Sequence, residues 1–180
     1  MRVGNMKLVE PTVKYDKQIR EYRKEFLDCG DPIDGASRLK QYDDPQEWID
    51  FLNKLKDPKT VPQGRVPLTQ YMFVREEDQK IVGMINIRHS LNAYLERCGG
   101  HIGISIVPSE RHKGYATQML KMALSKCREF GINKVLYAFN SGNEGSKRIV
   151  LKCGGAYESS VYDSFDGVYV ERYWIDLSEW

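Results

Sequence analysis

The sequence predicts a mixed α/β fold of the α+β kind, with six to seven strands and about four helices around one core. Three observations carry that reading. Apolar residues recur every three or four positions over residues 13–29, 44–57 and 114–130, the period of a helix with one buried stripe. Two pairs of apolar runs flank short polar turns, the mark of antiparallel hairpins, so the sheet is mostly antiparallel. Between the hairpins, residues 101–107, 114–130 and 134–139 read as strand, helix, strand, a connection that lays two strands side by side in parallel.

Taken in order, residues 7–9 form a short strand ended by Pro11, and Tyr15, Ile19, Tyr22, Phe26 and Cys29 form the apolar stripe of the first helix. Gly30, Asp31 and Pro32 stop it. Asp44 is placed to cap the second helix, with Pro45 at its first position and Glu47 completing a capping-box pattern. Trp48, Ile49, Phe51, Leu52 and Leu55 are its buried side, and residues 59–67 are loop. Residues 70–75 and 80–88 pair across a polar turn. The second of these strands is apolar on both faces, and Gly83 within it marks a bulge or a close approach. Residues 89–96 are irregular or a short helical turn. Gly131 ends the long helix, residues 146–152 form a short one, and residues 156–163 and 168–177 close the chain as a hairpin across Asp166-Gly167.

A length of 180 residues suits one domain, 1–180, with its core over about 7–177. The net charge of +2 is too small, and the basic residues too dispersed, to indicate nucleic acid or an anionic membrane as partner. No run approaches a membrane span and the first ten residues lack a signal-peptide core, so the expected location is cytoplasmic. Cys29, Cys98, Cys127 and Cys153 are far apart without a C-x-x-C pair, so no metal site is expected, and Cys127 falls on a buried helix face. Acidic residues gather in the first third: Asp28, Asp31, Asp34, Asp43, Asp44, Glu47 and Asp50. They are either a negative rim attractive to a cationic amine or ordinary solvated faces and turns.

Chemistry is legible between His101 and Leu120. A strand with Ile102, Ile104 and Ile106 on one face is broken at Pro108, and a helix starts after Arg111, His112, Lys113 and Gly114. Free N–H groups and the dipole at a helix N-terminus favour an anion there, the three basic side chains reinforce the field, and Gly114 lets a phosphate approach the backbone.

Arg111-x-x-Gly114-x-Ala116 after a strand ending in Val107-Pro108 resembles the Gln/Arg-x-x-Gly-x-Gly/Ala motif of the GNAT superfamily of acetyl-CoA-dependent N-acyltransferases. Asn143-x-x-Ser146 before a short helix, with Gly154-Gly155 after it, resembles that superfamily's second signature, and the likeness spans about residues 7–177. The resemblance implies a GNAT-like fold: a central mixed sheet whose parallel pair splays apart, with helices on both faces. It further implies acetyl-CoA as co-substrate in the splay. Ile106 and Val107 would pair with the pantetheine, residues from Arg111 through His112, Lys113, Gly114, Tyr115 and Ala116 to Thr117 would hold the phosphates, and Asn143 and Ser146 would face it from the next helix. The reaction implied is direct attack of a primary amine, from a small molecule or a protein N-terminus, on the thioester.

For the base, His101 is the leading candidate, weighed against a packed or exposed structural histidine; Glu96 and His89 are alternatives on the acceptor side. Glu110 is expected to hold the turn. The tyrosine that serves as acid in many relatives is replaced by Val150, which leaves Ser146 as the candidate. That departure also supports a second reading, a non-catalytic acyl-CoA-binding sensor or interaction module. Oligomerisation is left open, a homodimer being one arrangement the pattern allows.

Overall fold

The computed structural model describes residues 5–178. Its strands are β1 (Met6–Val9), β2 (Leu68–Arg75), β3 (Ile81–Arg88), β4 (Ile102–Ile106), β5 (Lys134–Asn140), β6 (Ala156–Asp163) and β7 (Val168–Asp176). Its main helices are α1 (Asp16–Cys29), α2 (Pro45–Lys56), α3 (Tyr115–Glu129) and α4 (Glu144–Lys152). Strands run in two antiparallel groups, β1-β2-β3-β4 and β5-β7-β6. The groups meet where the start of β4 lies beside β5: the His101 N–H donates to the Leu136 carbonyl at 2.8 Å. Beyond that contact no ladder joins β4 to β5, so the parallel pair is open along most of its length. The last strand, β7, inserts between β5 and β6, a placement that hairpin signals alone do not reveal.

Side chains of β2 alternate between two cores. Phe73 packs with Val82, Ile85, Met119, Leu120 and Val135 under α3, whereas Met72 and Val74 pack with Ile19, Phe26, Trp48 and Leu52 under α1 and α2. Period-two alternation in a sheet covered on both faces requires this division. Gly83 answers both sequence expectations. Val82 is the extra residue of a bulge, since Phe73 faces Gly83 and Val74 faces Ile81, and a Cβ on Gly83 would meet Ile106 Cδ1 at 2.7 Å.

Local chemistry fixes the helix ends. The first turn before α1, Val13–Tyr15, is a 3-10 turn. Asp44 caps α2 by accepting from the Gln46 N–H at 3.1 Å, with Pro45 in the first turn. Gly30, in the left-handed region at φ 76°, ends α1. The irregular stretch after β3 contains a π-helical turn, Leu95–Gly99, closed by a bond of 2.6 Å from Gly100 N–H to Leu95 O.

Candidate active site

Strand β4, on the side it leaves open toward β5, forms the back of a cleft of about 860 Å³, within the range of cofactor sites. Its walls are Ile104 to Ile106 of β4, the turn before α3, one face of α4 and the start of the α1–α2 loop. The hydrogen-bond pattern of β4 determines what its backbone offers. Arg88 N–H donates to His101 O at 2.8 Å and Val107 N–H to Val82 O at 3.0 Å. Bonded pairs alternate along an antiparallel ladder, so Ile104 and Ile106, in register with Ile85 and Gly83, turn their N–H and C=O groups away from β3 toward the gap. The same alternation corrects the expectation for Val107: its N–H is used by Val82, and its side chain is 1% exposed in the core.

Two helix N-termini face this gap. Gly114, at φ 83°, is the N-cap of α3, and a Cβ there would meet nothing within 4 Å. The turn needs this backbone and leaves open space in front of it. His112 is also left-handed, at φ 62°; such residues cost of order 1–3 kcal/mol each and gather at functional sites. On the other side Asn143 caps α4, its Oδ1 accepting from Ser146 N–H at 3.0 Å.

Glu110 holds the turn, as the sequence suggested. Its buried carboxylate accepts from Arg75, Lys80 and Lys113. Burial pushes its pKa up, but Lys113, Arg75 and Lys80 outweigh burial and bring it down to about 2. Lys113 is thus paired with Glu110 and does not line the cleft. Tyr115 lines the cleft with its ring, while its hydroxyl accepts from Arg75 at 3.2 Å. Arg111 reaches across the mouth, paired with Asp31 at 2.6 Å, donating to Ile106 O at 3.1 Å and lying over the Phe26 ring.

Of the predicted site residues, the cleft brings together Ile106, Arg111, His112, Gly114, Tyr115, Ala116, Thr117, Asn143 and Ser146. His101 and Glu96 are not among its walls. His101 is 8% exposed, its Nδ1 accepts from Leu136 N–H at 3.0 Å, and burial first, then Arg88, lowers its pKa to about 4. Those bonds tie β4 to β5 where the splay begins. Glu96 sits in the π-helical turn, where its carbonyl accepts from Arg172. His89 bonds to Thr69 and stacks on Phe130. Val150 is wholly buried in the core.

Two charged cleft residues and one buried tyrosine beside Ser146 lie outside the sequence reading. Arg148 and Lys152 lie one turn apart on α4 and line the cleft, a helical spacing that could have flagged them. Tyr137 of β5 is 2% exposed and its hydroxyl has no aligned hydrogen-bond partner; burial raises its pKa to about 12, opposed by the nearby Ser146 side chain. No local pattern distinguishes Tyr137 from an ordinary core aromatic.

Comparison with known proteins agrees with this geometry. A family model described as the acetyltransferase (GNAT) domain matches residues 34–156. The chain belongs to that family. As a GNAT N-acetyltransferase it shares its fold with ribosomal-protein-S5-alanine acetyltransferase from Vibrio fischeri, at 14% identity over 100% of this chain and 97% of that one, with a TM-score of 0.74. Mycobacterium smegmatis RimJ in complex with CoA-disulfide superposes with a TM-score of 0.72 at 18% identity, covering 98% of this chain and 84% of that one. Spermidine N-acetyltransferase from Vibrio cholerae gives 0.66 at 16% identity, covering 97% and 95%. No curated protein matches the sequence.

Proposed function

We propose that this GNAT enzyme binds acetyl-CoA in the β4–β5 cleft and transfers the acetyl group to a primary amine by direct attack. The observation that carries the assignment is the pair of outward-facing backbone segments at Ile104 and Ile106, leading to the open N-terminus of α3 at Gly114. An extended pantetheine adds to β4 as a strand would. Its diphosphate meets the N–H groups from His112 to Thr117, with Arg111 released from Asp31 to join them. Arg148 and Lys152 supply positive charge from α4.

Holding amine and thioester in line supplies as much as about 7–11 kcal/mol of the acceleration. A β4 N–H polarises the thioester carbonyl. The amine nitrogen forms the C–N bond as the C–S bond breaks, the nitrogen loses its excess proton to solvent, and Ser146 relays a proton from solvent to the departing thiolate, ending as the neutral hydroxyl. Tyr137 stands behind Ser146 as a positioning residue, uncharged at neutral pH. His101 serves as a structural link, since both its backbone N–H and its Nδ1 are engaged by Leu136.

Among the described residues no helix is long and apolar enough to cross a membrane; we read the chain as one domain and propose a cytoplasmic enzyme. Thiol release from acetyl-CoA with a panel of primary amines tests the assignment: turnover lost in Ser146→Ala supports catalysis, and cofactor binding without turnover of any amine supports the sensor reading.

A further inference from the structure

The acidic first third of the chain contains one carboxylate that differs from its neighbours. Asp28 pairs with Lys24, Asp31 with Arg111, Asp43 with Arg23 and Asp44 with Arg20, Asp50 accepts from Gln46, and Glu47, without such a partner among the described residues, stands on α2 away from the cleft walls. Asp34 lines the cleft and has neither ion pair nor hydrogen bond among the described residues. Water reaches it, yet the surrounding walls raise its pKa by burial, and no neighbouring cation counters that effect.

Its position is built. Gly35, at φ 65°, is wedged against β4 so closely that a Cβ would lie 2.4 Å from Gly103 C and O and from Ile104 N. Ser37 and Arg38 are also left-handed, at φ 45° and 65°. Gln70, 3% exposed, donates to Gly35 O at 2.8 Å and accepts from Ser37 Oγ at 2.7 Å, while Trp48 donates to Ala36 O and Ser37 O at 3.2 Å. Holding Ser37 and Arg38 at positive φ costs free energy, and the buried Gln70 amide is hydrogen-bonded to this loop on both its oxygen and its nitrogen. The result is a loop seated on the splayed strand with one uncompensated negative charge facing the cleft.

We propose that the acceptor carries a second positive charge besides the amine that is acetylated, and that Asp34 receives it. The inference rests on the acetyltransferase reading of the cleft. Pairing Asp34 with the reacting nitrogen would hold that nitrogen as an unreactive ammonium, because an adjacent opposite charge favours the charged form. Pairing it with a second cationic group leaves the reacting amine free to lose its proton and attack.

The test compares 1,4-diaminobutane with 4-amino-1-butanol, which have the same chain length but differ in the charge at the end that is not reacting; the diamine's two equivalent ends account for only a factor of two. With wild-type protein the diamine is expected to have a kcat/KM about tenfold higher or more, the scale of one charge-assisted contact. In Asp34→Asn that preference disappears through a raised KM for the diamine, Asp34→Glu keeps part of it, and acetyl-CoA affinity by calorimetry is the same in all three. Equal use of both amines by wild type, survival of the preference in Asp34→Asn, or turnover of neither amine despite acetyl-CoA binding would each overturn the inference. Failure of wild type to bind acetyl-CoA would overturn the acetyltransferase reading beneath it.

Discussion

His101 and Leu136 exchange two hydrogen bonds across the start of the splay: His101 N–H to Leu136 O at 2.8 Å, and Leu136 N–H to His101 Nδ1 at 3.0 Å. The second bond requires an unprotonated Nδ1. With the ordinary pKa of 6.5 lowered to about 4 in the fold, the unfolded chain takes up a proton at higher pH than the folded one. Stability contributed by neutral His101 is therefore complete above about pH 6.5 and declines as pH falls toward 4. His101→Asn, whose Oδ1 can accept the same bond, should flatten that part of the stability profile in chemical denaturation. Equal slopes for wild type and variant would contradict the structural role.

Glu110 titrates with the opposite sign. Its carboxylate pKa is held at about 2, below the ordinary 4.5, so its contribution is full above 4.5 and is lost as pH falls toward 2. Glu110→Gln is expected to cost about 1–3 kcal/mol at neutral pH, since bonds from Arg75, Lys80 and Lys113 lose their charge assistance. The measurement is the urea midpoint, and the loss should vanish at the acid end of the range.

Gly35 connects the acceptor loop to β4. Gly35→Ala adds a left-handed alanine, at roughly 1–3 kcal/mol, and a Cβ directed into the Gly103–Ile104 peptide. The loop should lift, raising the amine KM by a larger factor than it weakens acetyl-CoA binding. Steady-state kinetics with both substrates varied separates the two effects.

Tyr137 carries a hydroxyl with no aligned partner. Tyr137→Phe removes a buried polar group and should leave the melting temperature unchanged or raise stability by up to about 1 kcal/mol. Its kcat should nevertheless fall, by less than the roughly 10²-fold loss expected of Ser146→Ala, with KM little altered. An unaltered kcat would make Tyr137 a packing residue alone.

These residues also show how far the sequence could be read. The α3 turn was legible because its requirements are local: a strand end at Pro108, a glycine at a left-handed position, and a helix beginning beside it. Asn143 was legible as a cap for the same reason. The resemblance implies Val107 for the pantetheine, but which ladder bonds are free depends on the partner strand and its register, and Val107 N–H goes to Val82 O. His101 is a base candidate by its place on the central strand and the ordinary pKa of histidine, but its engagement depends on Leu136, thirty-five residues away. Tyr137 and the singling out of Asp34 from its acidic neighbours depend on tertiary contacts with Ser146, Gln70 and Gly103, which no periodicity encodes.

The central claim, that the open N-terminus of α3 holds the acetyl-CoA diphosphate, is tested most directly at Gly114. A side chain there projects into empty space at φ 83°, so Gly114→Glu should fold at a cost of roughly 1–3 kcal/mol while placing a carboxylate where the phosphates sit. In calorimetric titrations with acetyl-CoA the account predicts one site on the wild-type protein and affinity weaker by about 10²-fold or more in the folded variant; a folded Gly114→Glu protein with wild-type affinity would contradict it.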